Sequence, residues 1–417
     1  MTASAARDGA PIAALRPSRR VPPMPTTADA RERSVRRRVG LAWGLLVLNT
    51  IVYAGSLLHI PSVVGKGITQ VALPAALLVA LTVNRRIVVR PNVFLCLLVL
   101  LAAEAIVTSL QPQYFSTVYR TFRFAELVAA LWLLTPWWGR RDLLLVRCHL
   151  VSLAVVLASV ILGLLIAPGH ALADGRLSGV LWDVPPTQVA HYAAVILGAT
   201  VVLWLCGRLR GRRTLLIVAV SAAILLATHT RTALAALIAG LLVAGLSLIV
   251  AKQRVRKVFA AAGAVAAVAI VTLSGFVTTW LERGQGTSQL TKLTGRTDVW
   301  GPLLSLPRDR FQEIFGFGLS NDSFNGSPID SNWLASYQAQ GLFGVTVCAA
   351  ILLFLIVAAF FRPRGVERAL ALFFITYCLV ASFTEVGFTN ATPYMLELAL
   401  AASLLMEPAA TRRRAAQ

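Results

Sequence analysis

Gly207-Arg208-Leu209-Arg210-Gly211-Arg212-Arg213 separates two apolar stretches, 188–206 and 214–228, neither of which contains Asp, Glu, Lys or Arg. Uncharged runs of this kind read as membrane-crossing helices, and a basic cluster between two of them reads as a cytoplasmic connection. The same alternation extends in both directions. Apolar stretches of helix-spanning length occur at about 39–58, 67–83, 92–110, 121–138, 143–167, 188–206, 214–228, 232–250, 257–279, 341–361, 367–384 and 391–407. With the first entering from the inside, every second connection is basic. These connections are Asn84-Arg85-Arg86, Gly139-Arg140-Arg141, the 207–213 cluster, Lys252 to Lys257, and Arg362 to Arg368.

Composition agrees with this reading. Of 417 residues, 57% are hydrophobic and only 14% charged, against roughly 25% charged in a soluble domain. An ordinary cytosolic enzyme is therefore excluded. The net charge of +21 raises the question of nucleic acid. Most of the excess falls in the inner connections and tails, so it is a topology signal and no nucleic-acid partner is expected. The expectation is an all-α polytopic membrane protein of about twelve transmembrane helices in the cell (inner/plasma) membrane, both termini cytoplasmic. Residues 1–38 read as a disordered basic tail, 39–407 as the helical domain and 408–417 as a second tail. Cys96, Cys148, Cys206, Cys348 and Cys378 lie in or beside apolar runs and read as packing residues.

On the outer face two connections exceed turn length, 168–187 and 280–340, the latter between the ninth and tenth stretches. The second holds Trp300, Phe311, Phe315, Phe317, Phe324 and Trp333, too many aromatics for a solvated linker. It is expected to fold against the bundle. Three outer arginines are then informative. Arg176 sits in Gly175-Arg176-Leu177-Ser178-Gly179, Arg231 in Thr228-His229-Thr230-Arg231-Thr232, and Arg296 in Gly295-Arg296-Thr297-Asp298-Val299-Trp300. Guanidinium forks on one face suit phosphate, and Arg231 begins a helix whose N-terminus favours an anion. Interfacial snorkelling, or a loop pair such as Arg296 with Asp298, is the plainer alternative.

Together these segments resemble the O-antigen ligase and Wzy-type polysaccharide polymerase superfamily. Asp330 and Ser331, then nine residues, then Gly341-Leu342-Phe343-Gly344 are similar to its signature, with Asp330 in place of the family's His. The Arg176 segment resembles the family's Arg-x-x-Gly stretch, Thr230-Arg231-Thr232-Ala233 its Ser-Arg-x-Ala turn, and 295–300 its Gly-Arg-x-x-x-Trp element. The resemblance implies a GT-C-like fold and a metal-independent glycosyltransferase without a cofactor. It would move a glycan from a polyprenyl-diphosphate carrier to a hydroxyl of an acceptor glycan or lipid. In that chemistry Arg231, Arg176 and Arg296 offset charge developing on the diphosphate. Asp330 takes the proton of the acceptor hydroxyl, although it is a weaker base than His. An N-cap to the following helix is the structural alternative for Asp330. His229 is a candidate phosphate contact or base, and Asp183 and Glu385 are substitutes for Asp330 in the base role.

Two carboxylates lie inside apolar stretches, where ionisable groups are costly. Glu126 is expected to pair with Arg123 one turn away. Glu104 has no local partner and is expected to find one on a neighbouring helix. A rival class, a transporter or flippase for a lipid-linked or anionic substrate, also suits a many-helix bundle with intramembrane carboxylates. A noncatalytic scaffold for glycan assembly is a third.

Overall fold

A computed structural model describes residues 27–51, 55–57, 60–110, 115–173, 175–250, 252–272, 296–319 and 322–407. Its helices are α1 (Thr27–Asn49), α2 (Ser62–Val83), α3 (Val93–Ser109), α4 (Phe115–Leu134), α5 (Leu144–Ile166), α6 (Pro168–Ala171), α7 (Pro186–Leu205) and α8 (Gly211–Ala227). They continue as α9 (Arg231–Ile249), α10 (Gln253–Thr272), α11 (Arg296–Ser305), α12 (Arg310–Phe315), α13 (Asn332–Phe361), α14 (Val366–Ala381) and α15 (Pro393–Leu405). Each of the twelve apolar stretches overlaps one of these helices, although the first, expected to reach 58, leaves the helix at Asn49. By length and composition, five of them are able to cross a membrane among the described residues: α2, α5, α7, α9 and α13. The chain is thus a helical protein of membrane type.

α7 is the centre of the bundle, buried almost without interruption from Val189 to Leu205. Small residues set how closely its neighbours approach. The ring of Phe373 on α14 lies against Gly198 on α7 and Gly240 on α9, where a Cβ on either glycine would overlap it. Lipid tails are as apolar as Leu, so close backbone approach of this kind drives helix association in a membrane.

One end of the bundle is basic, and its arginines have structural work. Arg254 donates to the Trp204 carbonyl at 3.1 Å, and Arg362 to Met406 at 3.2 Å. Arg90 donates to Trp138 at 3.0 Å and also to Glu407. Helix C-termini expose carbonyls and a negative dipole end, which these cations satisfy. α1 begins inside the segment expected to be a disordered tail. Glu32 and Arg36, one turn apart, pair at 2.8 Å, and Arg36 and Arg140 both reach Asp142. Those ion pairs extend the helix past the apolar run.

At the opposite end lies the described part of the long connection. Asn325 and Gly326 both have positive φ (50° and 80°) and close a two-residue hairpin between β1 (Ser323–Phe324) and β2 (Ser327–Pro328). An Asn-Gly pair adopts that turn readily, because both central residues must enter the left-handed region. α13 is broken at Gly341 (φ 60°, ψ −158°), so an outer half, 332–340, meets the apolar half at an angle.

Candidate functional site: an arginine-bearing turn at the non-basic end

Thr228-His229-Thr230 links α8 to α9, with His229 at φ 49°. Arg176 reaches this turn from the α6–α7 connection, its Nε donating to the Thr228 carbonyl at 2.9 Å and its Nη2 to Thr230 Oγ1 at 3.2 Å. The backbone follows it, Leu177 N donating to the Ala227 carbonyl at 2.9 Å. Two arginine segments separated by some fifty residues of chain are therefore one structural unit.

Arg231 is the first residue of α9. Thr230 is its N-cap but makes no side-chain cap hydrogen bond. The first amides of the helix therefore keep the partial positive charge that attracts anions. Nε and Nη2 of Arg231 are buried, and neither has a hydrogen-bond partner among the described residues. A buried donor without a partner is costly, more so when charged. Guanidinium nitrogens left in that state fit an anionic ligand.

Thr232, next in the chain, shares a 2.8 Å hydroxyl contact with Thr384 in the turn after α14. That turn also anchors the segment bearing Asp330. Asn332, fully buried, accepts from the amides of Gly387 (3.1 Å) and Phe388 (2.7 Å), and its own amide donates to the Ser382 carbonyl at 2.9 Å. Trp333 Nε1 adds a 3.1 Å bond to Ser382 Oγ. The turn after α14 thus links the segment that follows Arg231 with the segment that follows Asp330.

Asp330 has φ 46° and is not the N-cap, a position taken by Ser331 without a side-chain cap bond. Trp300 donates to the carbonyl of the preceding residue, Ile329, at 2.8 Å, which docks α11 beside Asp330. Arg296 opens α11, and its side chain lies outside the described residues. His229 is partly buried in the turn between Thr228 and Thr230. Asp183 N donates to the Gly55 carbonyl at 3.0 Å, so Asp183 belongs to a loop packed on the α1–α2 connection.

The expected pairing of Glu126 with Arg123 is not a direct one. Arg123 donates instead to the carbonyl (3.2 Å) and the side-chain oxygen of Asn49, and lies over the Tyr119 ring. No carboxylate lies within 4.0 Å of it among the described residues. Glu104 does find a neighbouring helix. Its Oε2 accepts from Gln340, the residue before the α13 break, which also donates to the Leu101 carbonyl at 3.0 Å.

Asp322 was not singled out by sequence. Both its oxygens accept from Asn390 Nδ2, at 3.3 and 3.0 Å. Burial raises its carboxyl to about 6, against a smaller opposing effect of the Arg120 charge and the Asn390 bond. A second missed group joins α5, α7 and α15. Glu397 Oε1 lies 2.7 Å from His191 Nε2 and 3.8 Å from His149 Nε2, and Trp43 donates to His149 Nδ1 at 3.3 Å. All three titratable groups are buried. No cluster of three or more His, Cys, Asp or Glu among the described residues is arranged to hold a metal.

No protein-family model matches the chain, and no curated protein sequence matches it.

Proposed function

We propose that the chain is a multi-pass membrane glycosyltransferase of twelve spans with both termini cytoplasmic and a large extracytoplasmic loop at 280–340. It transfers a glycan from a polyprenyl-diphosphate carrier to an acceptor hydroxyl on the outer face. The observation that carries this reading is the Arg231 guanidinium. Two of its nitrogens are buried without a partner, at a helix N-terminus, on a turn already bound by Arg176. Cleavage of the anomeric C–O bond leaves the electron pair on the diphosphate oxygen. Fixed positive charge near that oxygen lowers the barrier without reorganisation. Arg231 and Arg176 supply that charge, and the carboxylate of Asp330 accepts the proton of the attacking hydroxyl as the new glycosidic bond forms.

A transporter or flippase is the second reading. Glu104 and Gln340 support it, because a hydrogen-bonded carboxylate beside a broken apolar helix is a common transporter element. The two readings differ in where substrate collects. A deletion strain complemented with Arg231→Ala should accumulate lipid-linked glycan on the outer leaflet if the chain is a transferase, and on the inner leaflet if it is a flippase. Accessibility of the glycan to an impermeant oxidant in intact spheroplasts distinguishes them. Full surface polysaccharide from well-expressed Arg231→Ala, Arg176→Ala and Asp330→Ala strains would overturn the transferase reading.

A further inference from the structure

A groove of about 460 Å³ opens at the basic end between α5, α7 and α8, remote from the Arg231 turn. Its walls are apolar, with Ala154 and Val151 of α5, Ile196 of α7 and Ile217 of α8 among them. Its mouth is charged. Arg141, Arg147 and Arg208 all line it and are all exposed. Among the described residues, none of the three has a carboxylate within 4.0 Å. The one acid in the lining, Asp142, is already engaged by Arg36 at 3.4 Å and Arg140 at 3.2 Å. The groove therefore presents three uncompensated cations above an apolar channel that runs along the bundle surface.

Several arginines at this end cap helix carbonyls or pair with acids, as Arg254, Arg362 and Arg36 do. The three at the groove do neither. We propose that it is a binding site for one anionic phospholipid, with the phosphate between Arg141, Arg147 and Arg208 and an acyl chain against Ala154, Ile196 and Ile217. The charge selects the lipid class, because a zwitterionic headgroup carries its own cation to the same place. The apolar wall selects a lipid over a free phosphate, which would leave the channel below it unfilled. Basic pockets between helices at the cytoplasmic side are suited to anionic headgroups.

The test uses the purified full-length chain, with phosphatidylglycerol and phosphatidylcholine offered in equal amounts and retained lipid read by native mass spectrometry. The wild type should keep one phosphatidylglycerol through delipidation. Arg141→Gln, Arg147→Gln and Arg208→Gln should each weaken retention about fivefold, and the triple variant about a hundredfold. Ala154→Trp, at an exposed position, leaves the arginines in place and should also release the lipid by filling the channel. Arg85→Gln/Arg86→Gln, on another basic connection, should change nothing. Equal retention of phosphatidylcholine, an equal loss in the Arg85/Arg86 variant, or undiminished retention in Ala154→Trp would each overturn the site.

Discussion

Gly316 and Gly341 pack backbone against backbone. A Cβ on Gly316 would strike the Ala339–Gln340 peptide, and one on Gly341 would strike the Ile314–Phe315 peptide. Both have positive φ, 73° and 60°. Two flanking hydrogen bonds hold the approach, from Phe317 N to the Gln338 carbonyl (3.0 Å) and from Gly318 N to Ala339 (2.8 Å). The end of α12 is thereby clamped to the break in α13.

Alanine at either glycine should destabilise the protein by at least about 2 kcal/mol, since strained backbone and overpacking both contribute. Thermal unfolding in detergent measures this. Gly301→Ala is the comparison, because nothing lies within 4 Å of its added carbon and alanine is the better helix former. It should leave the midpoint unchanged or raise it.

Replacing Arg231 by Lys keeps the charge but loses the fork. If the buried guanidinium nitrogens bind diphosphate, the lysine variant should retain only a small fraction of the activity. Alanine should lower it by about 10²–10³, the scale for losing one preorganised donor. Transfer from a defined lipid-linked donor in proteoliposomes provides the readout. Equal rates for Arg231→Lys and wild type would separate simple charge from bidentate recognition.

Arg176→Gln should act at a distance as well as at the ligand. It removes the bond that carries the 168–187 segment onto the α8–α9 turn. Protease cleavage within 168–187 should then become faster, while Arg231→Ala, which leaves the Arg176 bonds to Thr228 and Thr230 in place, leaves it slow.

Stability should fall as pH rises through the Asp322 carboxyl. Its ordinary value is 3.8 and burial raises it to about 6 in the folded protein, so the native state binds the proton more tightly. Its favourable contribution is complete below about pH 4 and is lost on passing about pH 6. Asp322→Asn should flatten this part of the unfolding-versus-pH curve. An unchanged slope would mean the carboxyl titrates normally.

Asn332→Ala should cost about 2–4 kcal/mol, because it orphans the buried amides of Gly387 and Phe388. Trp333→Phe removes only the Ser382 bond and should cost far less. A thermal-shift comparison of the two separates anchoring from general packing.

Much of the fold was legible because apolar runs and basic connections are local signals. Every apolar stretch found its helix, from the α1 run at Val39 to the α15 run ending at Leu405. Arg176 and Arg231 were also legible as candidates, each standing out against a nearly uncharged background. Their union was not, since the Arg176–Thr230 bond spans chain segments that no periodicity relates. Asp322 was missed for the same reason: Asn390 comes from the distant α14–α15 connection and Arg120 from α4. The Glu397 cluster was hidden because its two histidines and one glutamate come singly from three separate apolar helices. α1 overran its predicted start because Glu32 and Arg36 support one another across a helical turn, while the sequence reading weighed only apolar residues there.

The break at Gly341 also decides how the protein meets bilayers of different thickness. At 1.5 Å per residue, residues 342–361 rise about 30 Å, enough to cross the hydrocarbon alone. The 332–340 half is tied sideways through Asn332 to the turn after α14, rather than to the axis of the apolar half. Hydrophobic mismatch would therefore be taken up as tilt of 342–361 about the glycine. The spacing between the Arg231 turn and the Asp330 segment would stay constant while the membrane thins or thickens.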